Sequence, residues 1–215
     1  MMNELTARLS ERMAAPLPGL DAQLQMASGV RVKAVKNSMP DTSKARIGAV
    51  LIALFPDKNG IVRTVLMKRP DYDGTHSGQV SFPGGKVEEE DVDIVATALR
   101  EAEEEVNIKP QEVKVIGQLT ELYIPPSNFL VHPVLGVLEK PPVLMPDKHE
   151  VQSIHIPELS YLLRDDIIDE KEIELRSGFK LRTPYFKVDG HTVWGATAMI
   201  IAELKDILKD IGEVR

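Results

Sequence analysis

Two apolar runs joined by a tight-turn signal constrain the fold of this chain more than any other feature. RIGAVLIALF (Arg46 to Phe55) and IVRTVLMKR (Ile61 to Arg69) are rich in valine, isoleucine and leucine, and PDKNG between them contains Asn59-Gly60. An Asn-Gly pair between β-favouring runs predicts a hairpin, because both residues tolerate the positive φ that a tight connection demands. Further strands are predicted in GQVSF, EVKVIGQLTEL, FLVHPVLGVLE and VQSIHI, with a second hairpin across FKLRTPYFKVDGHTVWG. Apolar periodicity predicts helices from Asn3 to about Ala15, from Val92 to Val106 and through ATAMIIAELKDILKDI near the C-terminal end. Strands and helices that mix without strict alternation point to a sheet-based α/β or α+β layer fold. The stretch from APLPGL to Ser43 is polar and weakly periodic, so residues 1–43 read as an N-terminal extension packed on a core domain of residues 44–215.

Composition narrows the function classes. With 215 residues, 43% of them hydrophobic, the chain can bury a sizeable core as one domain. It carries 33 acidic against 26 basic residues, a formal net charge of −7, which argues against sequence-independent nucleic-acid binding, where a basic surface displaces counterions. There are no cysteines, so disulfides, thiolate metal ligands and cysteine nucleophiles are excluded. MMNELTARLS lacks the apolar stretch of a secretory signal and no run of 18 apolar residues occurs, so the expectation is a soluble cytoplasmic protein without membrane partners.

The segment from Ser81 to Ile108, SFPGGKVEEEDVDIVATALREAEEEVNI, crowds seven glutamates and two aspartates around a double glycine and one arginine. At about 100° per residue, Val92, Val95, Ala96, Leu99, Ala102 and Val106 form one stripe, and Glu101, Glu104 and Glu105 gather on the opposite side. Glu103 points back toward the stripe, and the wheel assigns it no role. An acidic run is commonly a solvated face. Such a face normally alternates sign, however, because like charges one turn apart repel, and only Arg100 is near enough to compensate. A divalent cation would compensate fully, since magnesium takes hard oxygen ligands from a few carboxylates together with substrate phosphate. A double glycine such as Gly84-Gly85 is commonly a tight turn, but before this helix it also leaves backbone groups open to a ligand.

GGKVEEEDVDIVATALREAEEEVNI resembles the Nudix box through Gly85, Arg100, Glu101, Ala102, Glu104, Glu105 and Ile108. Asp91 stands where the box has its first glutamate, one extra residue precedes Arg100, and Asn107 replaces the final glycine. Asparagine suits that place because it tolerates the left-handed conformation that closes a helix. The resemblance implies an α/β/α sandwich with a mixed sheet, an N-terminal helical extension and a C-terminal helix. It also implies Mg2+- or Mn2+-dependent cleavage of a nucleoside diphosphate linked to another group. Glu101 and Glu105 would then bind metal, Glu104 would bind a second metal or activate water, the Gly84 carbonyl would complete the shell, and Arg100 would orient the carboxylates. Glu150, in DKHEVQSIHI, is the loop candidate for general base; otherwise it is a solvated residue before a strand.

The upstream segment VLMKRPDYDGTHSGQVSFPGGK is similar to the signature of the coenzyme A diphosphatase subfamily through Arg69, His76, Gly78, Val80, Phe82, Pro83, Gly84 and Gly85, with Asp73, preceded by Tyr72, at the leucine position. The subfamily shares the extra residue within the box, and further matches lie at LPG with AQLQMA near Leu17 to Ala27 and at VWGATA. The similarity implies hydrolysis of coenzyme A or acyl-coenzyme A to 3′,5′-ADP and 4′-phosphopantetheine or its acyl form, and a homodimer. It makes Arg69, His76, Lys68 and Gly85 substrate-binding candidates, Arg69 first among them for the 3′-phosphate, with Lys33 and Lys36 as alternatives. Trp194 reads as core packing ahead of a nucleotide-stacking platform. Two other functions stay open: a Nudix hydrolase of another nucleotide such as ADP-ribose or NADH, and a non-catalytic nucleotide-sensing module of the same fold. The intact Glu101, Glu104 and Glu105 disfavour the second.

Overall fold

The computed structural model describes residues 2–38, 40–71, 76–175 and 178–212, so Tyr72 and Asp73 of the coenzyme A signature lie outside the described residues. Strand β1 (Arg46–Pro56) is the spine of the fold. Its two faces serve different cores: Ala49, Leu51, Ala53 and Phe55 pack in one apolar cluster, and Val50, Ile52 and Leu54 in the other. A strand covered on both faces reads as the near-continuous apolar run seen in the sequence.

The predicted hairpin forms where Leu54, Phe55 and Pro56 pair with β2 (Val62–Thr64). Asp57 closes its turn, accepting hydrogen bonds from the Asn59 and Ile61 amides and from Arg63 Nε. The second run does not stay on β1. It breaks at Val65, and β3 (Leu66–Lys68) pairs with β4 (Val80–Ser81) on one side and β9 (Ser153–His155) on the other, forming a separate small sheet. The double glycine is no simple turn, because it opens β5 (Gly84–Lys86), which pairs antiparallel with Gly48 to Val50 of β1. After helix α4 (Ile94–Val106), strands β6 (Lys114–Gln118) and β7 (Leu122–Ile124) both pair antiparallel with β8 (Phe129–Val137), and β8 runs parallel to β1. The main sheet is therefore mixed.

Helix α4 covers one face through Ala98, Ala102 and Val106, all with no exposed surface. The opposite face is covered by α1 (Met2–Met13), α2 (Gly19–Leu24) and the C-terminal helix, α6 (Gly195–Asp210). The result is an α/β/α sandwich. Helix α3 (Gly29–Asn37) follows α2. Between β9 and α6 lie the short α5 (Leu159–Leu162) and a three-stranded sheet of β10 (Ile168–Glu174), β11 (Lys180–Val188) and β12 (His191–Trp194).

The N-terminal segment is integral to the second core, to which it contributes Leu5, Leu9, Met26 and Ala27. A buried polar node also ties it down. Glu203 of α6, with no exposed surface, accepts the Gly19 and Thr120 amides, each at 3.2 Å, and the Gln23 side-chain amide at 2.9 Å. A buried carboxylate needs donors of this kind to offset its desolvation. Among the described residues no helix is long and apolar enough to cross a membrane.

Candidate active site

The site is built where β5 meets α4. Asp93 caps the helix, its side chain accepting the Ala96 amide at 2.7 Å, so the helix starts at Ile94 and Val92 lies outside it, 90% exposed. At the other end Asn107 adopts φ 64° and its amide reaches Glu103 O at 2.9 Å, the left-handed closure expected of the residue that replaces glycine.

The acidic residues divide differently from the helical wheel. Glu105 is 1% exposed, not on a solvated face, because β5 passes over that side of the helix. Its Oε2 accepts the Gly84 amide at 2.7 Å, and Arg69 Nη2 lies 3.4 Å from its Oε1 while donating to the Gly84 carbonyl at 2.8 Å. Glu101 lies against Gly85 so closely that a Cβ there would come within 2.3 Å of its carboxylate. Glu104 is turned outward to Arg100, at 2.9 Å. Glu103, unexplained by the wheel, pairs with Lys109 at 2.9 Å.

Arg100 braces the arrangement. Its Nε and Nη2 grip both oxygens of Asp91 at 2.9 and 3.0 Å, Nη1 reaches Glu101 at 3.1 Å and Glu104 at 2.9 Å, and Nη2 also bonds the Lys86 carbonyl at 3.0 Å. All five guanidinium N–H groups are thereby used. Asp91, where the box has a glutamate, also accepts the Glu88 amide and the Thr97 hydroxyl, each at 2.9 Å. The shorter acid thus serves as an anchor for Arg100, and these donors hold its pKa well below the usual carboxylate range, Arg100 most of all. Arg100→Lys is expected to lower turnover and weaken activation by magnesium on the order of tenfold to hundredfold, because an ammonium has no planar fork to span Asp91. Steady-state rates across a magnesium titration measure this; unchanged values would leave Arg100 without a bracing role.

The third carboxylate comes from far along the chain. The loop after β8 is clamped to the end of α4 by the Met145 and Asp147 amides, which bond the Val106 and Glu105 carbonyls at 3.2 and 2.9 Å. The Asp147 side chain then accepts the His149 and Glu150 amides at 2.7 and 3.1 Å, and this turn presents Glu150. Glu101, Glu105 and Glu150 each place an oxygen within 4.8 Å of the others. Burial pushes the Glu105 carboxyl up to about 8 against the opposing pull of Arg69 and the Gly84 amide, and burial also raises Glu101. Three hard-oxygen donors, two of them desolvated, match what a divalent cation of the magnesium type takes.

Neighbours of the cluster line a cleft of about 1020 Å³. Gly84, Gly85 and Arg69 lie at the cluster end, and Phe82, Phe129 and Phe179 are among the apolar residues that make up much of the wall. His76 lines the cleft too, with Nδ1 3.2 Å from Gln79 Oε1 and its pKa lowered chiefly by burial. Trp194 is half-buried in this wall and not enclosed in a core. Lys68 does not line the cleft; its carbonyl accepts the Gln152 amide in the β3–β9 sheet. Helix α3 supplies Val30 and Arg31 to the lining, and the β10–β11 hairpin supplies Leu175, Phe179 and Leu181, segments for which the sequence shows no motif.

Residues 45–175 match the NUDIX domain. The chain belongs to the Nudix hydrolase family. It is 38% identical over 168 residues to Nudix hydrolase 15, mitochondrial, of Arabidopsis thaliana, covering 75% of this chain and 58% of that protein. To the mitochondrial coenzyme A diphosphatase NUDT8 of Homo sapiens it is 33% identical over 153 residues, 71% of this chain and 65% of that one. The chain thus spans less than two thirds of the length of either. With the Nudix hydrolase NudL of Enterobacter sp. (strain 638) the identity is 37% over 169 residues, covering 76% and 83%. The fold is that of the crystal structure of a Nudix hydrolase from M. smegmatis, RenU, at TM-score 0.55 and 14% identity, covering 78% of this chain and 88% of that one. Nudix hydrolases generally use divalent metals, and among the described residues Glu101, Glu105 and Glu150 form an acidic cluster that fits one.

Proposed function

We propose that this chain hydrolyses the diphosphate of coenzyme A or acyl-coenzyme A to 3′,5′-ADP and 4′-phosphopantetheine or its acyl form. The observation that carries the reading is that Gly84, Gly85 and Arg69, which touch Glu105 and Glu101, also line a large, mostly apolar cleft. Coenzyme A has a matching shape: an anionic diphosphate with a long, weakly polar arm on one side and a nucleoside on the other. Relatives named as coenzyme A diphosphatases, NUDT8 of Homo sapiens and NUDT7 of Mus musculus at 33% and 32% identity, support the same substrate.

Glu101 and Glu105 would hold magnesium or manganese, with Glu150, whose oxygen comes within 4.8 Å of theirs, left for the attacking water. Bound there, the cation neutralises charge on the diphosphate oxygens and acidifies water. The chain's own residues do the rest. Arg69, which lines the cleft and spends Nη2 on the Gly84 carbonyl, would offer its other N–H donors to the diphosphate. Gly85, bare of side chain, lets the phosphates approach Glu101. Glu150 is the exposed acid of the three and takes the proton as water oxygen bonds to phosphorus and the bridging P–O bond breaks. Glu104, held by Arg100 outside the cluster, would act through a second ion.

Coenzyme A, acetyl-coenzyme A, ADP-ribose, NADH and diadenosine polyphosphates, assayed in turn with Mg2+ and with Mn2+, form the test. Coenzyme A or its acetyl form is expected to give the highest kcat/KM, with 3′,5′-ADP identified by mass spectrometry. A preference for ADP-ribose or NADH would overturn the substrate and leave a Nudix hydrolase of another nucleotide.

A further inference from the structure

Arginines in this acidic chain are mostly spoken for. Arg12, Arg63, Arg69, Arg100, Arg164 and Arg182 each hold a carboxylate. Arg31 and Arg46 do not: neither forms an ion pair among the described residues, Arg31 lines the cleft, and Arg46 stacks on Phe129, which lines it too. Arg31, on α3, lines the cleft and donates through Nη2 to the Tyr123 carbonyl, while its buried Nε–H has no hydrogen-bond partner among the described residues. A buried donor left unmade is costly, more so on a charged group. Burial also lowers the pKa of Arg31 from its ordinary value, the mark of a cation short of counter-charge. Arg46, at the start of β1, donates to the Ser127 carbonyl at 2.6 Å and lies over the Phe129 ring at 4.3 Å. It lies near enough to His76, itself in the cleft wall, to disfavour protonation of that ring.

Sheet register brings the two together. Arg46 pairs with Phe129, and Phe129 pairs with Ile124, the neighbour of Tyr123. Two strand spacings, about 10 Å, therefore separate Arg46 from the segment that Arg31 grips. Along β1, Arg46 stands three residues before Ala49, the partner of Gly85, which places it about 10 Å from the acidic cluster before its side chain is counted.

We infer that Arg31 and Arg46 form the subsite for the 3′-phosphate of the substrate's nucleotide half. The inference rests on the proposed coenzyme A reading and sharpens it. The 3′-phosphate and the diphosphate are carried by the same ribose ring, so the second anion must lie a short distance from the cluster. A phosphomonoester supplies the acceptor that the buried Arg31 Nε–H lacks and a counter-charge for both guanidiniums, in charge-assisted geometry. Arg69, the first choice from sequence, sits at the acidic cluster itself, paired with Glu105 and the Gly84 carbonyl, which suits its remaining donors to the diphosphate and not to a second anion. Lys33 and Lys36, on the same helix as Arg31, do not line the cleft, and among the described residues neither stacks on an aromatic ring of its wall as Arg46 does on Phe129.

The test compares kcat/KM for coenzyme A and dephospho-coenzyme A in the wild type, Arg31→Gln and Arg46→Gln. The wild type is expected to favour coenzyme A, and each variant to lower that ratio about tenfold to hundredfold, the effect of losing one charge-assisted contact. Arg46→Gln changes an exposed strand end, so it reports even if Arg31→Gln disturbs the docking of α3. A ratio unchanged in both variants overturns the subsite, as does a wild type that turns over both substrates equally, and in either case the coenzyme A reading stands. A wild type that cleaves neither substrate while cleaving another nucleotide overturns both.

Discussion

Glu105→Gln is expected to lower turnover roughly a hundredfold to ten-thousandfold, since several kcal/mol of stabilisation from a metal ligand translate into that range. The same variant should melt no lower than the wild type when no metal is present. Glutamine keeps the size of the side chain and an acceptor for the Gly84 amide, and it removes a charge that burial disfavours strongly enough to push the pKa to about 8. For a carboxyl raised in this way the ionised form weakens the fold, increasingly so as pH climbs from its unfolded value toward 8, and glutamine abolishes that penalty. Loss of activity together with unchanged or higher metal-free melting temperature separates a functional acid from a structural one. Full activity under saturating magnesium would remove Glu105 from the metal site, and a lower melting temperature would show that its charge supports the fold.

How much of this site was legible in the sequence depends on where its information sits. The helix and its bracing arginine are local: the spacing of Arg100, Glu101, Glu104 and Glu105 within one element is fixed by helical geometry, and the resemblance carried the same residues. The burial of Glu105 is not local, because it depends on β5 crossing the helix, which no wheel contains. Glu150 reaches the cluster only because two amides of its loop satisfy the last carbonyls of α4, a tertiary contact without a periodic signature. Helices α2 and α3 are short, and only Ser28, which accepts the Arg31 amide at 3.3 Å, marks a start. Strand β10, IDEKEIE, is mostly charged and carries no apolar alternation. Its pairing with β11 is accompanied by the cross-strand pairs Asp169 with Lys187, Glu170 with Arg182 and Glu172 with Lys180, at 2.8, 2.9 and 3.1 Å. Exposed pairs of this kind contribute little each, so the backbone ladder and the packing of β11 carry the hairpin. The strand β1 was plain because burial on both faces leaves a continuous apolar run, whereas the departure of β3 from the first hairpin was hidden by the same apolar character on both sides of Val65.

The double glycine permits two substitutions with opposite expected phenotypes. Gly84 has φ 153°, and a Cβ built on it would lie 2.2 Å from the Ala49 carbonyl oxygen and 2.6 Å from the Val50 Cα. Both neighbours are backbone atoms of the central strand and have little freedom to yield. Gly84→Ala should therefore destabilise by about 3 kcal/mol or more, adding an unfavourable backbone conformation to an overpacked contact. For a domain of this size that corresponds to a fall in Tm of roughly 6 to 12 °C. Gly85 differs, because its Cβ would meet only the end of the Glu101 side chain, at 2.3 Å from one oxygen, and that end can rotate away. Gly85→Ala should keep a Tm within a few degrees of the wild type and lose turnover about a hundredfold, the order expected when a reacting group is displaced by about 1 Å. Thermal melts beside steady-state kinetics distinguish the two. Wild-type turnover in Gly85→Ala would mean that the present placement of the Glu101 carboxylate is not used in the reaction, and a wild-type Tm in Gly84→Ala would mean that β5 can leave β1 without cost to the sheet.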